Sequence, residues 1–360
     1  MSEFENQQYL ITLLRSALSG KTPPEKPKAV SFEDVYDAAC LHEVANLAFL
    51  AVRKLRFKPE EKLYKKWQNA YLLAVRRDAE QESLALSLRE LFSKNKIKHL
   101  EVQGSVVKKY YPSSDLRMMS DTDIIVEKEK LGLCKELLLK EGFSLLEESD
   151  EELTLTDEVN VLEIHTDFFP SGRTFQNGVR CSSVLSRPFE KAKSTDGISY
   201  YPDDTLLYLF NALHCYKHFL ADGAGIRRIM DIFVLKNALK NADYEYIGIL
   251  LDGFRLGETD DKLTNLARVW FSGEEWSEQV KELSCEVFKA GNHGSREFLT
   301  NKRIKESKRS GKKPYRLKYA FLRFFIDKQT CYAIYPFCKK HRYPLFCVGF
   351  IDLIRSFFTR

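Results

Sequence analysis

The chain has 360 residues, 44% hydrophobic and 30% charged, with a net charge of +5. That length buries a large core and allows two or three domains, and the composition excludes a disordered chain. Met1 to Gln8 is polar and acidic, unlike a secretory leader, and no apolar run reaches the length of a membrane span, since Asp352 and Arg355 interrupt the longest candidate, Tyr343 to Phe358. Eight cysteines are scattered without a Cys-x-x-Cys pair, which points to reduced thiols and a cytoplasmic protein.

Charge is unevenly spread. Residues 301–360 carry sixteen Lys/Arg against three Asp/Glu, about +13, leaving residues 1–300 near −8. A basic, aromatic-rich tail on an acidic body suits either a solvated linker with a docking helix or contact with RNA or an anionic membrane surface.

Residues 1–94 read as helices. Phe4 to Leu18 is amphipathic, Ser31 caps a second helix running toward Leu55, and Pro59-Glu60-Glu61 opens a long helix or helical pair ending near Phe92. The period then changes. His99 to Val102 is a strand, Ser105 to Tyr111 a short helix, Asp121 to Glu127 a strand, and Lys130 to Glu141 a helix closed by Gly142. Leu153 to Leu155 and Val159 to Phe169 form a hairpin around Asp157-Glu158. From Pro202 helices return over Leu206 to Leu220, capped by Asp203 or Asp204, over Ile226 to Leu239, and through 244–296. The expected division is an N-terminal helical segment (1–94), a small α+β mixed-sheet core (95–200), a helical domain (201–300) and the basic tail (301–360).

The chemistry concentrates in that core. In an extended strand Asp121 and Asp123 share a face about 6.5–7 Å apart, and two such carboxylates repel unless cations lie between them. A pair of Mg²⁺ ions satisfies them through oxygen ligands and orients displacement at phosphorus. Glu163 on the next strand completes the set; Asp167, two strand steps further, is the alternative third ligand, with His165 between them as a supporting group. The Gly104-Ser105 turn leads into a helix N-terminus, offering backbone N–H groups and a hydroxyl to phosphate, and Arg117 is placed to neutralise charge on leaving pyrophosphate.

Taken together, Gly104-Ser105, Asp121-Thr122-Asp123-Ile124-Ile125-Val126 and Glu163 resemble the signature of the polymerase-β-like nucleotidyltransferase superfamily. Gln103-Gly104-Ser105, Tyr111-Pro112, Arg117, Gly142-Phe143, Glu163-Ile164-His165, the helix from His214 to His218 and Gly225-Ile226-Arg227-Arg228-x-x-Asp231 resemble the bacterial family of uncharacterised nucleotidyltransferases. The resemblance implies a nucleotidyltransferase core flanked by helical segments. It implies an enzyme that moves NMP from an NTP, most often ATP, with Mg²⁺, to an acceptor that is a small molecule, a protein or RNA. A catalytically silent nucleotide-binding module with the same fold is the alternative. Two departures stand out: Gln103 occupies a position where Lys is expected, and the spacing from Ser105 to Asp121 is long, so the loop Tyr110 to Ser120 would be a lid or a specificity element.

On the acceptor side, His214 and His218 lie four apart on one helical face, a spacing open to zinc or to an acceptor or base pocket with His165 and Asp231. Arg227 and Arg228 are candidate nucleotide contacts, with Asp231 orienting one of them. His42-Glu43 is expected to pack or to lie at the surface, and Trp67, Trp270 and Trp276 belong to the core.

Overall fold

The computed structural model describes residues 2–169, 185–221 and 223–291, and the chain from Met1 to Ser295 forms one compact unit that spans the first two segments read from the sequence and all but the last five residues of the third. The basic tail and Asp222 lie outside the described residues.

The N-terminal helices are α1 (Ser2–Leu18), α2 (Phe32–Leu41), α3 (Ala45–Val52) and α4 (Glu61–Lys94). Ser31 caps α2 by accepting the Asp34 N–H at 3.3 Å. The single helix expected from Ser31 toward Leu55 is two helices. Glu43 breaks it with φ 55°, a backbone turn that local helical periodicity does not reveal. The stretch after Pro59 is one 34-residue helix, not a pair.

The sheet follows: β1 (His99–Glu101), α5 (Gly104–Val107), β2 (Thr122–Val126), α6 (Leu131–Lys140), β3 (Ser144–Glu148), β4 (Glu152–Thr156) and β5 (Val161–His165). Then come α7 (Pro188–Lys191), β6 (Lys193–Ser194) and β7 (Ser199–Tyr201). The seven strands lie in the order β3-β4-β5-β2-β1-β7-β6, with β2 parallel to β5 and β1 parallel to β7. The α+β reading is right, and the β4–β5 hairpin turns where it was expected; β3, β6 and β7 were not foreseen. Helices α8 (Asp204–Ala221), α9 (Ile226–Ala238), α10 (Tyr244–Gly253), α11 (Gly257–Ser272) and α12 (Glu278–Ala290) complete the unit. Asp203, rather than Asp204, caps α8, accepting the Leu206 N–H at 2.9 Å.

Strand alternation places the site. Ile124, Val126, Leu153, Leu155, Leu162 and Ile164 enter one apolar core with Leu84, Leu88 and Phe92 of α4 and Leu131, Cys134 and Leu138 of α6. The intervening residues of β2, β4 and β5 therefore face the other way. On that second face Ile125 and Leu100 join the larger core built by the flanking helices, with Trp67 and Trp270 fully buried within it. Asp123, Glu163 and His165 share that face but cluster together instead. Among the described residues no helix is long and apolar enough to cross a membrane.

Candidate active site

Parallel pairing sets Asp123 of β2 beside Glu163 of β5, and Ile125 beside His165. Neighbouring strands are about 4.8 Å apart, so the two carboxylates meet across the sheet. One ligand atom from each of Asp123, Glu163 and His165 lies within 4.8 Å of the others. His165 Nε2 is 3.1 Å from Asp123 Oδ1 and 3.6 Å from Glu163 Oε2, and its Nδ1 is 3.8 Å from Glu152.

Such crowding shows in the protonation of these groups. Burial, with repulsion from Asp123 and Asp121, pushes the Glu163 carboxyl up to about 8. Burial also raises Asp123, which Asp121 pushes further while His165 pulls it down. His165 is raised although burial opposes it, because its hydrogen bond to Asp123 and the nearby carboxylates favour the imidazolium. Asp121, just before β2, accepts the Ser120 hydroxyl at 3.3 Å. It stands outside the close trio, yet its charge acts on both Asp123 and Glu163. Asp167 also lies outside the close trio: it accepts the Phe168 N–H at 2.8 Å and is pushed up to about 6 by burial, with Glu151 adding to the rise.

The donor chemistry suits a hard divalent cation. Carboxylate oxygens from Asp123 and Glu163, with Asp121 adjacent, supply the oxygen ligands that Mg²⁺ requires. The His165 nitrogen is a poor Mg²⁺ ligand and is better used in its bond to Asp123.

The phosphate side is built around Gly104. A Cβ there would collide with Arg117 Nη1 and Met119 Sδ, so only glycine lets the turn pass this close to the guanidinium. The Ser105 hydroxyl donates to the Val102 carbonyl at 2.8 Å, which fixes the turn and takes up the proton expected to meet phosphate, leaving the backbone N–H groups of the turn for an anion. Arg117 is held as a fork by Asp231, with Nε to Oδ1 at 3.1 Å and Nη2 to Oδ2 at 2.8 Å, and Tyr111 donates its hydroxyl to the same Oδ1 at 2.7 Å. Asp231 was expected to orient Arg227 or Arg228, its neighbours along α9. It holds Arg117 instead, because a guanidinium arriving from another element can meet the carboxylate side-on, through Nε and Nη2, with two parallel bonds. Arg227 is taken by Glu43 at 2.6 Å and by the Met118 carbonyl at 2.6 Å.

The loop from Tyr110 to Ser120 is a fastened wall rather than a swinging lid. Asn46 donates to the Asp115 and Leu116 carbonyls at 2.8 and 3.1 Å, Gln81 to the Met119 carbonyl at 3.2 Å, and Ser114 to Asp78 at 2.6 Å. Lys108, 2% exposed, ties the start of the segment to Asp78 and Glu82 of α4 at 2.9 and 2.6 Å.

His214 and His218 come together, with their Nε2 atoms 3.2 Å apart. Burial lowers His214 well below its usual value, and His218, Lys217, Arg228 and Arg117 lower it further. Arg228 itself is lowered to about 10, by burial first and then by Arg227.

Sequence reasoning overlooked three contributors. Gln103 was noted only as a departure, yet its Nε2 donates to Asp123 Oδ1 at 2.9 Å. Tyr111 was quoted only as part of a motif, although a tyrosine beside a proline at a loop start is a visible signal. Glu43 was read as packing or surface; it anchors Arg227, while the adjacent His42 is fully buried and accepts the Ile226 N–H at 3.2 Å.

No curated protein matches the chain. Among solved structures, the antibiotic-resistance factor ANT(2'')-Ia in solution is similar at 12% identity and a TM-score of 0.38, covering 51% of this chain and 96% of that one. A likeness of that degree fixes neither substrate nor site. The sequence itself is more decisive: the profile described as uncharacterised nucleotidyltransferase matches residues 28–271, about two-thirds of the chain, including the whole of the sheet and the helices from α2 to nearly the end of α11. The chain belongs to this family of uncharacterised nucleotidyltransferases.

Proposed function

We propose that the protein transfers NMP from a nucleoside triphosphate, with ATP the leading candidate, to a hydroxyl or phosphate oxygen of an acceptor and releases pyrophosphate. The observation that carries this reading is the register of two parallel strands, which sets Asp123 against Glu163 directly beyond the Gly104-Ser105 turn. Asp121, Asp123 and Glu163 would hold divalent cations, Mg²⁺ by the oxygen chemistry of the set. When bound, these ions would neutralise triphosphate charge and acidify the acceptor hydroxyl.

The chain's own groups divide the remaining work. Arg117, held by Asp231 and Tyr111 beside Gly104, faces the phosphates and offsets the charge that develops on pyrophosphate. Backbone N–H groups of the Gly104-Ser105 turn bind phosphate oxygens. The acceptor oxygen attacks the α-phosphorus, a new O–P bond forms and the bond to the β-phosphate oxygen breaks. Glu163 takes the acceptor proton and passes it to solvent. His214 and His218, together on one helical face, would serve the acceptor side, with Arg228 a candidate nucleotide contact. The tail would add RNA or membrane contact only as a second function, and the protein would act in the cytoplasm.

Incubation with α-labelled NTP, Mg²⁺ and a cell extract tests the reading: label should move to an acceptor with release of pyrophosphate, and Asp123→Asn should abolish the transfer. Binding of NTP with no release of pyrophosphate across broad acceptor panels would instead identify the silent nucleotide-binding module.

A further inference from the structure

Gln103 is the hinge between β1 and the Gly104 turn, and its backbone is unusual: φ is 53° and ψ is −128°. L-residues rarely adopt that conformation, whereas glycine takes it freely. If the turn alone mattered, glycine would serve better at this position. What glutamine adds is a side chain that reaches the sheet, where Nε2 donates to Asp123 Oδ1 at 2.9 Å. The same oxygen faces His165 Nε2 at 3.1 Å, so Oδ1 is gripped from two elements and the plane of the carboxylate is fixed.

The Gln103 amide is neutral, so its bond fixes the carboxylate and leaves the charge of Asp123 available to a cation. A strained backbone that supports a neutral, directional donor fits a role in aiming a carboxylate. We propose that Gln103 is a positioning residue for Asp123, holding its carboxylate in the orientation that receives a divalent cation. This inference rests on the reading of Asp123 and Glu163 as the cation site.

The test uses the full chain and Mn²⁺ as the probe, with binding followed by loss of the free-ion electron paramagnetic resonance signal and stability by melting in EDTA. Gln103→Gly should weaken Mn²⁺ binding about three- to tenfold, the net worth of one typical hydrogen bond. Its melting temperature should stay level or rise, because glycine relieves the positive φ. Gln103→Ala should lose the same affinity and melt below the glycine variant, and it carries the binding readout if the glycine protein does not fold. Unchanged Mn²⁺ affinity in Gln103→Gly or Gln103→Ala, beside its loss in Asp123→Asn, overturns this inference alone. Wild-type Mn²⁺ binding by Asp123→Asn overturns the cation site and this inference together.

Discussion

Replacing Asp231 by leucine removes the acceptor of three hydrogen bonds at once, two from Arg117 and one from Tyr111. The Arg117 and Asp231 side chains are only 10% and 7% exposed, so the orphaned guanidinium has little water to turn to. Breaking a buried pair in this way costs about 3–5 kcal/mol. At about 2–4 °C per kcal/mol in a unit of this size, the melting temperature should fall by roughly 6–20 °C. Substituting all three partners with apolar groups, as Tyr111→Phe, Arg117→Met and Asp231→Leu, removes every unpaired polar atom and should recover most of the loss. NMP transfer should be lost in both proteins, since the triple variant has no cation beside Gly104 and in the single variant Arg117 is no longer held in place there. Differential scanning calorimetry of wild type, single and triple variants, with pyrophosphate release measured in parallel, makes the comparison. A single variant that melts within 2 °C of wild type, or a triple variant no more stable than the single, refutes the reasoning about burial. A triple variant that retains transfer refutes the role of Arg117.

Glu163 makes stability depend on pH. Its carboxyl titrates at about 8 in the folded chain against 4.5 for the unfolded reference, so between those values the folded protein binds more protons than the unfolded chain, and stability falls as pH rises through that window. In EDTA, Glu163→Gln should therefore raise the melting temperature more at about pH 8.5 than at about pH 5, and Mn²⁺ should stabilise wild type but not the variant; equal shifts at both pH values would contradict the crowding described above. Asn46→Ala frees the Asp115 and Leu116 carbonyls, costs about 1–3 kcal/mol and should speed amide exchange between Asp115 and Arg117, which hydrogen exchange with mass spectrometry would detect. Ser31→Ala removes the α2 cap for about 1 kcal/mol, read by urea denaturation, and leaves transfer unaffected.

Local signals were legible in the sequence because they are complete within a few residues. Ser31 and Asp203 announce their caps, and the two-residue alternation around Asp123 and Glu163 places both carboxylates opposite the apolar residues of their own strands. Strand β3 escaped notice because it is largely exposed and shows no clear apolar alternation; β6 and β7, two and three residues long, are too short to show any. The break at Glu43 and the partner of Asp231 were hidden for a different reason. Each is decided between elements distant in sequence, Glu43 with Arg227 and Asp231 with Arg117, where several cations compete and only the assembled geometry selects one. Gln103 was visible as an oddity, but its meaning needed the position of Asp123.

The place of β1 in the sheet also bears on how the molecule is made. β1 carries the chain into the Gly104 turn, and it lies between β2, close in sequence, and β7, with His99 paired to Ser199 across about 100 residues. Closing so large a loop before any contact is gained is slow, and parallel pairing offers no hairpin shortcut. On the ribosome β2 through β5 all emerge before β7, so the strand leading into the phosphate turn gains its second neighbour late. A nascent chain halted between residues 165 and 199 would expose that unpaired strand edge, a template for pairing with another chain.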